Sequence, residues 1–136
     1  MGGKAIERLA KAIGYPDRVP DGVVSFVFRV DGAEIAAAEM DGRLVLSRLL
    51  SDDASLLPTL ATYAAGRMLK EEAVLSYGDG RAFIWQEASA DADAHGLTRL
   101  FETFMDSCDW WWARIDALRG SGTSEASMPE TVMIRP

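Results

Sequence analysis

His95 and Cys108 are the only histidine and the only cysteine in this 136-residue chain, and they are its most obvious candidates for nucleophilic or metal chemistry. They lie thirteen positions apart on one predicted helix. At 1.5 Å per residue that is roughly 20 Å, too far for a thiol–imidazole pair within one chain. Cys108 falls on the apolar face of that helix, where a buried, inert thiol is expected. The sequence contains no Gly-rich phosphate loop and no zinc-ligand spacing. An acid–base enzyme built on converging carboxylates stays open, but no spacing in the sequence places such a pair.

Asp91, Asp93, Gly96 and Glu102 follow a calcium-loop template, but its third acidic position is held by His95, a poor ligand for a hard cation. The segment before it reads as a strand, where a calcium-binding helix–loop–helix needs a helix. Acidic residues ahead of a helix also complement its dipole, so capping is the expected role and no metal or other cofactor is expected. Trp110, Trp111 and Trp112 suggest stacking on sugars or bases. Adjacent helical positions point about 100° apart, however, so three in a row form no flat platform. Trp111 and Trp112 belong to a core stripe, and Trp110 lies off it, partly exposed or covered by a partner subunit.

Residues 3–13 read as a helix with Ile6, Leu9, Ala10 and Ile13 on one face, stopped by Gly14 and Pro16. Three strands follow, Val23–Val30, Ala33–Met40 and Arg43–Leu50, joined by the hairpin signals Asp31-Gly32 and Asp41-Gly42. Val24, Phe26, Phe28 and Val30 share one face of the first, and Leu44, Leu46 and Leu50 one face of the third. The alanines of the second strand favour helix, but its two flanking turns make it a strand. Asp52, Asp53 and Ser55 are candidate caps for a helix over about 55–70, with Pro58 harmless in its first turn. Its apolar face is Leu57, Leu60, Ala61, Ala64, Ala65 and Met68. A hairpin of Ala73–Tyr77 and Arg81–Glu87 follows, around Gly78-Asp79-Gly80. The last helix runs from about Ala94 to Arg119, with Leu97, Leu100, Phe101, Phe104, Cys108, Trp111, Trp112, Ile115 and Leu118 at helical spacing. Residues 1–119 form a single α+β domain with an antiparallel sheet, and 120–136, rich in Gly, Ser, Thr and Pro, read as a flexible tail.

Acidic residues outnumber basic ones 21 to 14, for a formal charge of −7. Such a chain lacks the clustered cations that a phosphate backbone or an anionic membrane needs, so neither nucleic acid nor membrane is an expected partner. No apolar run approaches the roughly 20 residues that span a bilayer. Met1–Ile6 lacks the apolar stretch of a signal peptide, and one cysteine forms no internal disulfide, so the cytoplasm is the expected location. The small residues Ala61, Ala64 and Ala65 permit close approach of another backbone, either this domain's own sheet or the same helix of a second copy, and the dimer is the favoured reading.

The element order and acidity resemble the class I type III secretion chaperones, the Tir-chaperone family. The likeness rests on Leu44, Leu46, Leu49 and Leu50 leading into Asp52-Asp53, the hairpin at Asp79-Gly80, and the closing stretch Leu97–Leu118. It implies the order α-β-β-β-α-β-β-α, a homodimer, no catalytic residues and no nucleotide. It also implies a secreted effector whose extended N-terminal segment wraps around the dimer and is kept soluble and secretion-competent. The effector contacts it implies are Ile6, Leu9, Ile13, Val24, Phe26 and Phe28. The dimer contacts it implies are Leu57, Leu60, Ala61, Ala64 and Met68. A regulatory or general protein-binding module of the same fold is the alternative.

Overall fold

Three of the four Asp-Gly pairs, at 31–32, 41–42 and 79–80, close hairpins; the fourth, Asp21-Gly22, lies in the turn before the first strand. Asp31, Asp41 and Asp79 have φ of 51°, 51° and 54°, and the glycines after them have φ of 81°, 76° and 74°. Both central residues of each loop are thus left-handed, the type I′ geometry whose twist matches the strands it joins. In the computed structural model, which describes residues 4–67 and 72–127, these turns organise eight regular elements. They are α1 (Ala5–Ile13), β1 (Ser25–Val30), β2 (Ala33–Met40), β3 (Arg43–Ser51), α2 (Leu57–Arg67), β4 (Val74–Gly78), β5 (Arg81–Ser89) and α3 (Ala94–Ser127). The strands form one antiparallel sheet in the order β1-β2-β3-β5-β4, so the fold is α+β with the expected succession.

Side-chain alternation gives the sheet a core face. Phe28, Ile35, Leu44, Leu46, Ala82 and Ile84 are all fully buried there. α1 and α3 pack on each other and on this sheet, and Ile6, Leu9, Leu97, Phe104, Cys108 and Ile115 complete the core. Gly14 ends α1 at φ 70°, its N–H returning to the Lys11 carbonyl, as its place in the sequence predicts. The Arg8 guanidinium donates to the Ala90 and Ala92 carbonyls and ties α1 to the turn before α3.

Several boundaries differ from the sequence reading, among them β4, which runs Val74–Gly78 rather than Ala73–Tyr77, and β5, which ends at Ser89 rather than Glu87. β1 starts at Ser25 rather than Val23, and β3 ends at Ser51, one residue late, through a bulge between Leu49 and Ser51. α2 is entered through a short 3-10 turn, Ala54–Leu56. There Asp53 accepts from the Ser55 hydroxyl at 2.6 Å and the Ser55 N–H at 3.0 Å, bonds that hold its carboxyl below the usual range. α3 continues past Arg119 to Ser127. Gly120 and Gly122 weaken a helix without stopping it, and Pro129 is the first residue unable to continue it. The rest of the tail expected over 120–136, from Met128 on, lies outside the described residues.

Candidate functional site

β1 is an edge strand, paired only with β2. Val30 and Ala33 flank a two-residue turn, and the Val24 carbonyl accepts from the Glu39 N–H at 2.9 Å. Alternation then turns the main-chain groups of Phe26 and Phe28 toward β2, and those of Ser25, Val27 and Arg29 outward. The Arg29 N–H donates to the Tyr15 hydroxyl at 3.2 Å. Ser25 and Val27 remain as an open sheet edge among the described residues.

Beside this edge lies a corner built by α1, β1 and α3. Tyr15 meets Phe28 at 4.8 Å and Phe26 at 6.1 Å between ring centroids, both edge to face, and Phe26 meets Phe28 at 4.9 Å. Pro16, directly after Tyr15, turns the chain away from α1 and leaves the tyrosine ring over β1. A cavity of about 250 Å³ opens here between Ile13, Tyr15, Pro16, Val30 and Phe101. The arrangement offers an extended peptide two main-chain partners and an adjoining apolar recess, which are the requirements for strand addition.

The six expected effector contacts divide in two. Ile13 and Phe26 are half-buried at this corner, and Val24 is 52% exposed. Ile6, Leu9 and Phe28 are 0% exposed, sealed between α1, α3 and the sheet, so an effector does not reach them on this surface. A helix this short is marginal unless docked, and docking consumes its apolar stripe. The dimer contacts divide likewise. Leu60 and Ala64 are buried in the chain's own core, Leu57 is half-buried, and Ala61 is exposed together with Ala65. Met68 lies outside the described residues.

Sequence reasoning placed Phe101 only in the apolar stripe of the last helix, and it missed Tyr15 and the second face of the sheet. That face carries Val27 and Leu49, 47% and 40% exposed, with half-buried Val45, Phe83 and Trp85. The signal was present in β5, where Ala82, Phe83, Ile84 and Trp85 are apolar without alternation, the pattern of a strand covered on both faces.

The residues singled out for chemistry have structural roles. Cys108 is fully buried, and that burial pushes its thiol up to about 11, with the nearby Arg48 guanidinium pulling weakly the other way. His95 is exposed at the start of α3. Asp93 accepts from the Gly96 N–H at 2.8 Å and so caps α3, the expected role for this acidic segment. Trp111 is core, as expected, at 3% exposure. Trp112 is only half-buried and lies under Arg48, its ring centroid 4.9 Å from the guanidinium carbon. Trp110 is covered within its own chain, between Arg67 and Arg114 at 3.7 and 4.6 Å, with Tyr63 edge-on at 6.3 Å.

No protein-family model and no curated protein matches the sequence. Solved structures do. A chain of the HopA1–SchA chaperone–effector complex superposes with a TM-score of 0.64 at 14% identity, covering 81% of this chain and 91% of that one. The fold is that of the class I type III secretion chaperones. A chain of the ExsC–ExsE complex matches with a TM-score of 0.63 at 14% identity, covering 83% of this chain and 96% of the other. A chain of the ExoT–SpcS complex from Pseudomonas aeruginosa gives 0.59 at 16% identity, with 77% and 91% covered. These identities carry the chaperone fold and no residue-level role. Among the described residues, no helix is long and apolar enough to cross a membrane.

Proposed function

We propose that this chain is a type III secretion chaperone. It binds the extended N-terminal segment of a secreted effector in the cytoplasm and keeps that segment soluble and ready for export. The observation that carries this reading is the open edge at Ser25 and Val27 beside the apolar corner of Ile13, Tyr15 and Phe101, set in a fold shared with a chaperone–effector complex. An unfolded segment gains main-chain hydrogen bonds along β1 and buries apolar side chains in the corner, which offsets its lost chain entropy. Val24, Phe26 and Ile13 are the contacts retained from the sequence. The net charge of −7 favours a neutral or basic segment.

The working unit is a homodimer. The exposed alanines Ala61 and Ala65 of α2 give a surface that a second copy can approach closely. Affinity capture from the native cell with mass spectrometry tests the function. Recovery of a secreted protein through its N-terminal segment is the expected result. Recovery of folded cytoplasmic proteins alone replaces the chaperone with a general protein-binding module.

A further inference from the structure

The seam between β2 and β3 is closed at one end and open at the other. Its ladder runs from Met40–Arg43 to Ala36–Ser47 and stops there, although both strands continue, β2 paired with β1 and β3 with β5. The next hydrogen-bonded pair in the alternation is Glu34 with Leu49, and it does not form. The cause lies in β3. The bulge between Leu49 and Ser51 inserts an extra residue against β5, and such an insertion bends the strand and raises its twist. The β1–β2 hairpin cannot follow, so the sheet splits.

Two cavities meet at the split, of about 350 Å³ toward the open sheet face and about 310 Å³ toward α3, with Ala33, Arg48 and Trp112 in the walls of both. Arg48 makes no ion pair among the described residues, and the Trp112 indole nitrogen is buried without a hydrogen-bond partner. The guanidinium lies over the indole and also acts on the Cys108 sulfur, so its face and one edge are engaged while its remaining in-plane N–H groups can grip a carboxylate. The charges nearby select the direction of entry. The α3-side cavity is also lined by Asp31 and Asp109, which repel an anion. The sheet-face cavity has Glu34 as its acid, already held by Arg29 at 2.8 Å, and is otherwise walled by apolar residues such as Val27, Leu49 and Phe83.

We propose that this split is a second anchor point, which takes the carboxylate of an aspartate or glutamate flanked by apolar residues in an extended peptide lying on the open sheet face. Arg48 binds the carboxylate, and Val27, Leu49 and Phe83 receive the flanking side chains. The anchor fixes the register of a bound segment, a task the sequence-tolerant main-chain bonds of the β1 edge cannot perform. It rests on the chaperone reading only for the owner of that segment.

Two synthetic probes, acetyl-Val-Glu-Val-amide and acetyl-Val-Gln-Val-amide, test the anchor without knowledge of the effector. Each is titrated into nitrogen-15-labelled protein, following the four indole N–H signals and the Arg48 Nε–H. The glutamate peptide is expected to shift the Trp112 and Arg48 signals saturably and to bind about tenfold or more tightly than the glutamine peptide, since bonds to charged groups are the stronger ones. Arg48→Met is expected to abolish that preference. If this variant does not fold, the comparison on the parent protein decides alone. Equal affinity for the two peptides, no shift at millimolar peptide, or a response confined to other tryptophans overturns the proposal. A failed capture of secreted proteins together with a glutamate preference would sink the chaperone reading and leave the anchor standing.

Discussion

Leu9→Asp and Val24→Asp place the same charge on two expected effector contacts and should give opposite outcomes. Leu9 is 0% exposed, between α1, α3 and the sheet, while Val24 is 52% exposed on the approach to β1. Removing the leucine forfeits about 2–3 kcal/mol of apolar burial. A carboxylate with no partner in that position costs several kcal/mol more, whether it stays charged or takes up a proton. The sum, about 5 kcal/mol or more, is comparable with the whole stability of a typical domain, about 5–15 kcal/mol. Leu9→Asp is therefore expected to unfold the protein or detach α1, and any loss of binding it causes says nothing about contact with a partner. Val24→Asp should stay within about 0.5 kcal/mol of the parent while weakening capture of an apolar segment about tenfold. Urea unfolding followed by circular dichroism and tryptophan fluorescence measures the first quantity, and titration with the captured segment the second. A Leu9→Asp protein within about 1 kcal/mol of the parent would refute the burial argument.

Three further outcomes follow from the same geometry. Burial holds the Cys108 thiol at about 11 against an ordinary value of 9.0, so the folded state keeps its proton longer than the unfolded chain. This contribution to stability is intact below pH 9 and declines as pH rises to 11, by at most about 2.7 kcal/mol; Cys108→Ala should lose that part of the slope in urea titrations. Ala61→Glu, on the exposed side of α2, should reduce the light-scattering mass from twice the chain mass to one with secondary structure unchanged; a mutant that stays dimeric removes α2 from the interface. Asp93→Ala, which deletes the cap on Gly96, should lower stability by about 1 kcal/mol, and calorimetric titration with calcium should show no saturable binding to the parent; micromolar binding lost in the variant would make this segment a metal site.

Much of the architecture is readable from local chemistry. Three of the four Asp-Gly pairs fix hairpins, because few other dipeptides accept left-handed φ at both positions, and two of them outweigh the helical preference of the alanines in β2. The site is less legible, because apolar periodicity marks which residues are buried and not what buries them. Ile6, Leu9 and Phe28 have the same pattern whether a partner or α3 covers them, and α3 does. Leu60 and Ala64 share a helix face that also takes Tyr63 and Arg67 inward, leaving Ala61 and Ala65 outside. Arg48 was legible in principle: it has the parity of Leu44, Leu46 and Leu50, and a cation on an apolar strand face calls for a reason. The bulge that gives it one depends on pairing with β5, more than thirty residues downstream, which no local window reports.

Amide hydrogen exchange, on the complex with whatever segment affinity capture recovers, tests the central claim most directly. In the free protein the Ser25 and Val27 N–H groups point away from β2, while those of Phe26 and Phe28 are held in the ladder. Strand addition at β1 should slow Ser25 and Val27 by about tenfold or more and leave Phe26 and Phe28 nearly unchanged. Arg29, bonded to Tyr15, should also change little. A complex in which Ser25 and Val27 exchange as fast as in the free protein would contradict the account, whatever the identity of the partner.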